Sequence, residues 1–171
     1  MDGNKRRKKI NEILNRNNQP FKGADIANKF NVSRQVIVQD IALLRAEGKD
    51  IIATPNGYMM IKEKNSGIKK TIVSKHETYN EIEEELNTIV DLGGKILDVI
   101  VEHPIYGEIK GQLMIDSRND VKEFIKKIKK EKAEPLATLT EGLHIHTIEV
   151  PNENIFNKIK KQLKIKNYLI E

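Results

Sequence analysis

The sequence contains no cysteine and no tryptophan, and it has only four histidines among 171 residues. Without thiols no disulfide framework can form, and any bound metal must be held by His, Asp or Glu. Aromatics make up 5% of the chain, so its cores must be built from Ile, Leu and Val. No apolar run approaches the roughly 18 residues of a membrane-spanning helix. No apolar segment follows the basic N-terminus as an export signal would require. The expected location is the cytoplasm, with no membrane partner.

Charge is abundant, at 32% of residues, and it is unevenly placed. Residues 1–62 hold 12 Lys and Arg against 6 Asp and Glu, whereas residues 63–171 hold 18 against 19. The net charge of +5 therefore belongs to the first third, which suggests a polyanion partner such as double-stranded DNA.

That third reads as three helices and a hairpin. Ile10, Ile13 and Leu14 recur at helical spacing between Arg6 and Asn15, and Asn17-Asn18-Gln19-Pro20 ends the run. A short second helix spans Gly23 to Phe30. Ser33 then caps a third helix running to Ala46 or Glu47. On it Ile37, Ile41 and Leu44 form an inward stripe, Gln35 and Gln39 project nearly opposite, and Arg34 and Arg45 lie on a flank. Gln pairs in bidentate fashion with adenine and Arg with guanine, so this is the chemistry of a recognition helix. Two short apolar strands between Asp50 and Ile61 are joined by the hairpin signal Asn56-Gly57. The sum is a winged helix-turn-helix over 1–62, in which Arg34, Gln35 and Gln39 read bases and Lys22, Arg45 and the wing around Asn56 touch phosphate.

A polar stretch containing Ser66-Gly67 places a linker at 63–68. Over 69–171 the pattern is βαββαββαβ: strands Lys69–Lys75, Lys95–Glu102, Ile109–Ile115, Leu136–Leu139, Leu143–Val150 and Tyr168–Ile170, with helices from Thr78, Ser117 and Asn152. The fold class is α+β, a largely antiparallel sheet with helices on one face. In Leu143-His144-Ile145-His146 the alternation puts both imidazoles on one side of a strand, about 7 Å apart, where both can reach one ion. His76 ends the first strand, and the next helix offers Glu81, Glu83, Glu84 and Glu85. At about 100° per residue Glu85 lies nearest the Ile82–Leu86–Ile89 stripe, with Glu84 the second choice. If the outer face of the histidine strand meets this junction, three imidazoles and a carboxylate converge on Zn²⁺, Ni²⁺ or Fe²⁺. His103, beside Pro104, is expected to hydrogen-bond its own turn; a role for it and Tyr106 in effector binding is the other option.

The chain resembles the niacin-responsive transcriptional repressors, which join a winged helix-turn-helix to a domain called 3H after its histidines. The resemblance rests on Val32-Ser-Arg-Gln-Val-Ile-Val-Gln-Asp-Ile41, Ala53-Thr-Pro-Asn-Gly-Tyr58, Lys75-His76, Glu84-Glu85-Leu86, Val101-Glu-His-Pro-Ile-Tyr-Gly-Glu108 and Gly142-Leu-His-Ile-His-Thr-Ile-Glu149. It implies a dimeric repressor of niacin-uptake or NAD-synthesis genes that binds its operator more tightly with nicotinic acid. It also implies a divalent metal at His76, Glu85, His144 and His146. The interval from His76 to the Glu-Glu-Leu run is one residue longer than the family's pattern, which leaves Glu85 or Glu84 open as the ligand. Two rival expectations are a regulator whose effector is the metal itself and a metal-dependent hydrolase. Against the hydrolase, four protein ligands fill a tetrahedral ion, and no nucleophile with a paired base is present.

Overall fold

The computed structural model describes residues 1–62 and 67–171 and divides into two compact units, Met1–Lys64 and Asn65–Glu171. Of the linker expected at 63–68, residues 63–66 lie outside the described residues.

The first unit contains α1 (Gly3–Arg16), α2 (Gly23–Phe30), α3 (Arg34–Ala46) and the strands β1 (Ile51–Thr54) and β2 (Gly57–Met60). Asn31 ends α2 in the left-handed conformation that Asn tolerates, at φ 52°. The Ser33 hydroxyl then accepts the backbone N–H of Val36 and starts α3. Ile10, Leu14, Ile26, Ala27, Ile37, Ile41, Leu44 and Ile51 meet in one core, each fully buried Ile contributing about 1.5–3 kcal/mol. Asp40 is buried among them, and Arg6 Nε donates to its Oδ2 at 2.5 Å, tying α3 to α1.

The wing turns one residue earlier than the Asn56-Gly57 signal predicts. Thr54 pairs with Gly57, so Pro55 and Asn56 are the central residues, and Asn56 does not take a positive φ. Pro55 presets the first turn position, and the Thr54 hydroxyl accepts the Asn56 N–H. Gly57 is needed for a different reason. At φ 129° a Cβ there would lie 2.4 Å from the carbonyl oxygen of Phe21, whose backbone pairs with Tyr58 and adds a bridge to the wing.

The second unit runs β3 (Ile68–Lys75), α4 (Tyr79–Asp91), β4 (Lys95–His103), β5 (Gly107–Ile115), α5 (Arg118–Glu131), a 3₁₀ turn (Leu136–Thr140), β6 (Leu143–Val150), α6 (Glu153–Ile165) and β7 (Leu169–Ile170). The sheet order is β5-β4-β6-β3-β7, with every adjacent pair antiparallel. Ile82, Leu86 and Ile89 of α4, Val121 and Ile125 of α5, and Ile159 and Leu163 of α6 share one core with Ile72, Ile96, Leu113, Ile148 and Val150 of the sheet.

The strand expected at Leu136–Leu139 is instead the 3₁₀ turn. Pro135 sets the entering φ at −58°, its carbonyl accepts both the backbone N–H and the hydroxyl of Thr138, and Ala137 accepts from Gly142. Local hydrogen bonds of this kind outcompete ladder formation in a four-residue segment.

Candidate metal centre and nucleic-acid interface

The histidine strand is inverted relative to expectation. Ser74 pairs with His144 and Ile72 with His146, so these side chains share the face that continues into Ile148 and Val150. His144 and His146 are therefore 2% and 4% exposed, whereas Leu143 on the opposite face is 44% exposed. The face beneath the helices carries the imidazoles.

His76 joins them through a close approach of backbone. It lies just past the end of β3, and its N–H donates to the Gly142 carbonyl. A Cβ on Gly142 would sit 2.5 Å from the His76 carbonyl oxygen, so only glycine lets the two segments meet. Above them, Thr78 and Glu81 form a capping box at the start of α4. One turn on, α4 places Glu85 fully buried among the three rings.

The Nε2 atoms of all three histidines converge on one oxygen, Glu85 Oε2. His76 touches it, His144 lies at 3.2 Å and His146 at 3.5 Å. The ring centroids of His76 and His144 are 4.7 Å apart, and those of His144 and His146 4.8 Å. His144 Nδ1 donates to the Gly142 carbonyl at 2.8 Å, and His146 Nδ1 donates to the Asp98 carbonyl at 2.7 Å. A carbonyl only accepts, so each Nδ1 carries a proton; a neutral ring then turns an Nε2 lone pair toward the carboxylate, and a charged ring donates to it from Nε2. Acceptors facing an acceptor are relieved by a proton or by a cation among them.

Burial opposes ionisation of Glu85, but the charge on His146 and hydrogen bonds from His144, His146 and His76 hold it well below the usual carboxylate range. Burial likewise opposes charge on His146, and Glu85 raises it above the ordinary imidazole value. The donor set suits a divalent metal. The candidate ligand atoms of His76, Glu85 and His144 lie within 4.8 Å of one another. The contacts at 3.2 and 3.5 Å are close to the roughly 3.4 Å that separates neighbouring ligands of a tetrahedral ion with bonds of about 2.1 Å.

Glu84, the other candidate, points elsewhere. Lys166 and the Tyr168 hydroxyl bind its two oxygens. Tyr168 in turn lays its ring edge against His76, with centroids 5.2 Å apart. His103 is not brought to the cluster: its Nδ1 accepts the backbone N–H groups of Ile105 and Tyr106, and its ring contacts Tyr106 on the β4–β5 turn.

Sequence reasoning missed three supporting groups. Asp98, beside an irregularity in the pairing of β4 with β5 and β6, turns its carbonyl to His146 while its carboxylate accepts the Thr147 N–H at 3.0 Å. A charge inside the apolar Lys95–His103 run was the available signal. Ser74, two residues before His76, was visible from strand period alone. Tyr168 had no sequence signal, because its partners lie more than 80 residues away.

In the first unit Ser33, Arg34, Gln35, Gln39 and Lys22 are exposed. Arg45 Nε donates to the Ile51 carbonyl at 2.7 Å and braces α3 against β1. Asn56 stands at the tip of the wing.

A basic helix-turn-helix joined in one chain to an α+β unit with an enclosed polar centre has the build of a transcription regulator. The 3H domain matches residues 69–171, and an HTH domain matches residues 6–59. The chain is 48% identical over 166 residues to the probable transcription repressor NiaR of Thermotoga maritima, covering 97% of this chain and 94% of that protein. It is 38% identical over 172 residues to the transcription repressor NadR of Bacillus subtilis, covering 99% and 95%. The chain belongs to the NiaR-like family of 3H-domain repressors. It is a DNA-binding transcriptional repressor, a regulator rather than an enzyme. No helix among the described residues is long and apolar enough to cross a membrane.

Proposed function

We propose that His76, Glu85, His144 and His146 hold a divalent transition metal, zinc, nickel or iron, and that nicotinic acid bound beside it controls operator affinity. The genes repressed would be those for niacin uptake or NAD synthesis, as the resemblance to niacin-responsive repressors implies. The observation that carries the reading is the convergence of three Nε2 atoms and one buried carboxylate oxygen, with two Nδ1 protons fixed by carbonyls. Carbonyls that accept from Nδ1 in this way fix a tautomer for coordination through Nε2. When bound, the ion would supply the positive charge that neutralises Glu85 and attracts a small carboxylate.

The chain's own groups do the rest. Gly142 and Asp98 orient the rings, and α4 keeps water from Glu85. In a homodimer, two α3 helices about 34 Å apart would meet successive major grooves, and ligand would favour that arrangement. Exposed Gln35 and Gln39 would read base edges, with Arg34 beside them, while Lys22, Arg45 and the Asn56 wing tip would face phosphate.

Gel-shift titration of the promoter DNA, with purified protein, defined metal content and nicotinate present or absent, tests the effector. Nicotinate should tighten binding, and the gain should vanish in His144→Ala. Unchanged affinity at saturating nicotinate would remove the effector, and metal-dependent affinity without nicotinate would make the ion the signal. Gln39→Ala should cost about 1–3 kcal/mol on the operator and little on unrelated DNA. Equal losses on both would assign Gln39 to the backbone.

A further inference from the structure

Three of the five buried side-chain atoms without a hydrogen-bond partner among the described residues belong to one neighbourhood: Ser74 Oγ, His76 Nδ1 and Glu85 Oε1. Ser74 is 0% exposed. It stands directly opposite His144 in the β3–β6 ladder, a pairing that brings Cβ atoms to about 5 Å. His76, two residues on, follows on the same side of the chain. The neighbour of Ser74 along β3 on that face is the buried Ile72, and the partner of Ser74 in β7 is Leu169, which packs on the core. An apolar residue in that row would fill the position without stranding a hydroxyl. A buried hydroxyl that finds no acceptor destabilises the folded chain, so the Ser74 hydroxyl points to a bound acceptor.

We propose that Ser74 is a binding group of the centre, its hydroxyl donating a hydrogen bond to an oxygen donor held against the ion. That donor is a water molecule or the carboxylate of a small organic acid. The inference rests on the metal reading above. It assigns Ser74 no part in coordination, which the three imidazoles and Glu85 would supply, and no part in the stability of the metal-free protein. The hydroxyl selects for an oxygen-bearing occupant, because an occupant without an acceptor would leave Oγ stranded as before.

The test uses the full chain loaded with Co²⁺, whose visible bands report the ligands on the ion, comparing the parent with Ser74→Ala. Acetate and nicotinate are titrated separately, and the metal-free proteins are melted in parallel. Ser74→Ala should bind Co²⁺ within about twofold of the parent and melt, metal-free, at the same or a higher temperature. It should lose about tenfold in affinity for both acids, as expected for one hydrogen bond to a charged acceptor. A change in the bands confined to the acid-free samples would assign the contact to bound water and also support the proposal. Identical bands and affinities, or a lower melting temperature of metal-free Ser74→Ala, would overturn it. Failure of the parent to take up Co²⁺ would overturn the metal reading and this proposal together, whereas uptake with an indifferent Ser74→Ala would overturn this proposal alone.

Discussion

Asp40 in the first unit and Glu85 in the second are both buried carboxylates, and the two are satisfied in opposite ways. Asp40, 2% exposed, receives Arg6 Nε at 2.5 Å and Arg6 Nη2 at 3.3 Å, with Arg7 Nη1 3.5 Å from it. Guanidinium groups are permanent donors that cannot turn a lone pair inward, so that charge is closed within the protein. Glu85, 0% exposed, receives three imidazoles of which two hold a proton on the far side, and its Oε1 has no hydrogen-bond partner among the described residues. Charge of the same sign and burial of the same depth thus yield a structural tie in one unit and an open centre in the other. The difference lies in whether the partner must be a donor or can also be a ligand.

Supplying a divalent cation should separate the units most. Zn²⁺ or Ni²⁺ at about a thousand times its dissociation constant would stabilise the second unit by roughly 4 kcal/mol and leave the first unchanged. Calorimetry of stripped and loaded protein reads this as one moving transition and one fixed transition. Two fixed transitions would close the comparison, with Glu85 as buried as Asp40 and as inert.

The stripped protein should also respond to pH. The His146 pKa is raised above 6.5, so its contribution is full below that value and is lost as pH rises through the folded pKa. Glu85 is lowered below 4.5, so its contribution is full above that value and is lost as pH falls through the folded pKa. Stripped second unit is therefore most stable between about pH 4.5 and 6.5, and the ion, which displaces protons, flattens the alkaline decline. Melting curves across pH 4 to 9 check the sign.

Substitution sharpens the same contrast. Asp40→Ala leaves the Arg6 guanidinium unmatched against the core and should cost the first unit about 3 kcal/mol in denaturant unfolding. At pH 9, where the His146 contribution is lost, Glu85→Gln in stripped protein should cost nothing, because an amide N–H donates to the facing imidazole lone pairs. A loss for Glu85→Gln comparable to that of Asp40→Ala would mean that the imidazoles already carry the protons the carboxylate needs.

Between these in size lies Asp98. Asp98→Ala removes the acceptor that holds the Thr147 N–H beside the carbonyl aimed at His146, and should weaken metal binding by about 10- to 100-fold. Competition with a coloured chelator measures it. An unchanged affinity would show that the strand irregularity holds the carbonyl without its side chain.

Much of this centre was legible before folding. Period two placed His144 and His146 together, and helical angles favoured Glu85 over Glu84. What the pattern could not give was the sense of the strand. An alternation of polar and apolar residues reads as polar side out, and only the run onward to Ile148 and Val150 shows that the imidazoles lie on the core side. The 3₁₀ turn at Leu136–Thr140 was misread for a related reason. Apolar residues in a short segment mark burial, and Ala137 is buried, but local hydrogen bonds from Pro135 to Thr138 decided the backbone. The Arg6–Asp40 tie had no signature, since its members are 34 residues apart and nothing in the pattern pairs them.

The smallest loss concerns the carboxylate adjacent in sequence. Glu84 is exposed, and Lys166 and Tyr168 hold both its oxygens and keep it below the usual carboxylate range. The Tyr168 hydroxyl is pushed above its ordinary value by burial and then by Glu84. Tyr168→Phe deletes one hydrogen bond and keeps the ring edge against His76, so the second unit should lose about 1 kcal/mol while metal affinity stays within about twofold. Unfolding in denaturant and chelator competition on the same preparation separate the two quantities. A large loss of affinity would mean that Glu84 communicates with the centre through the tyrosine hydroxyl. The boundary between a closed carboxylate and an open one would then run through the pair Glu84–Glu85 less sharply than the geometry of their partners requires.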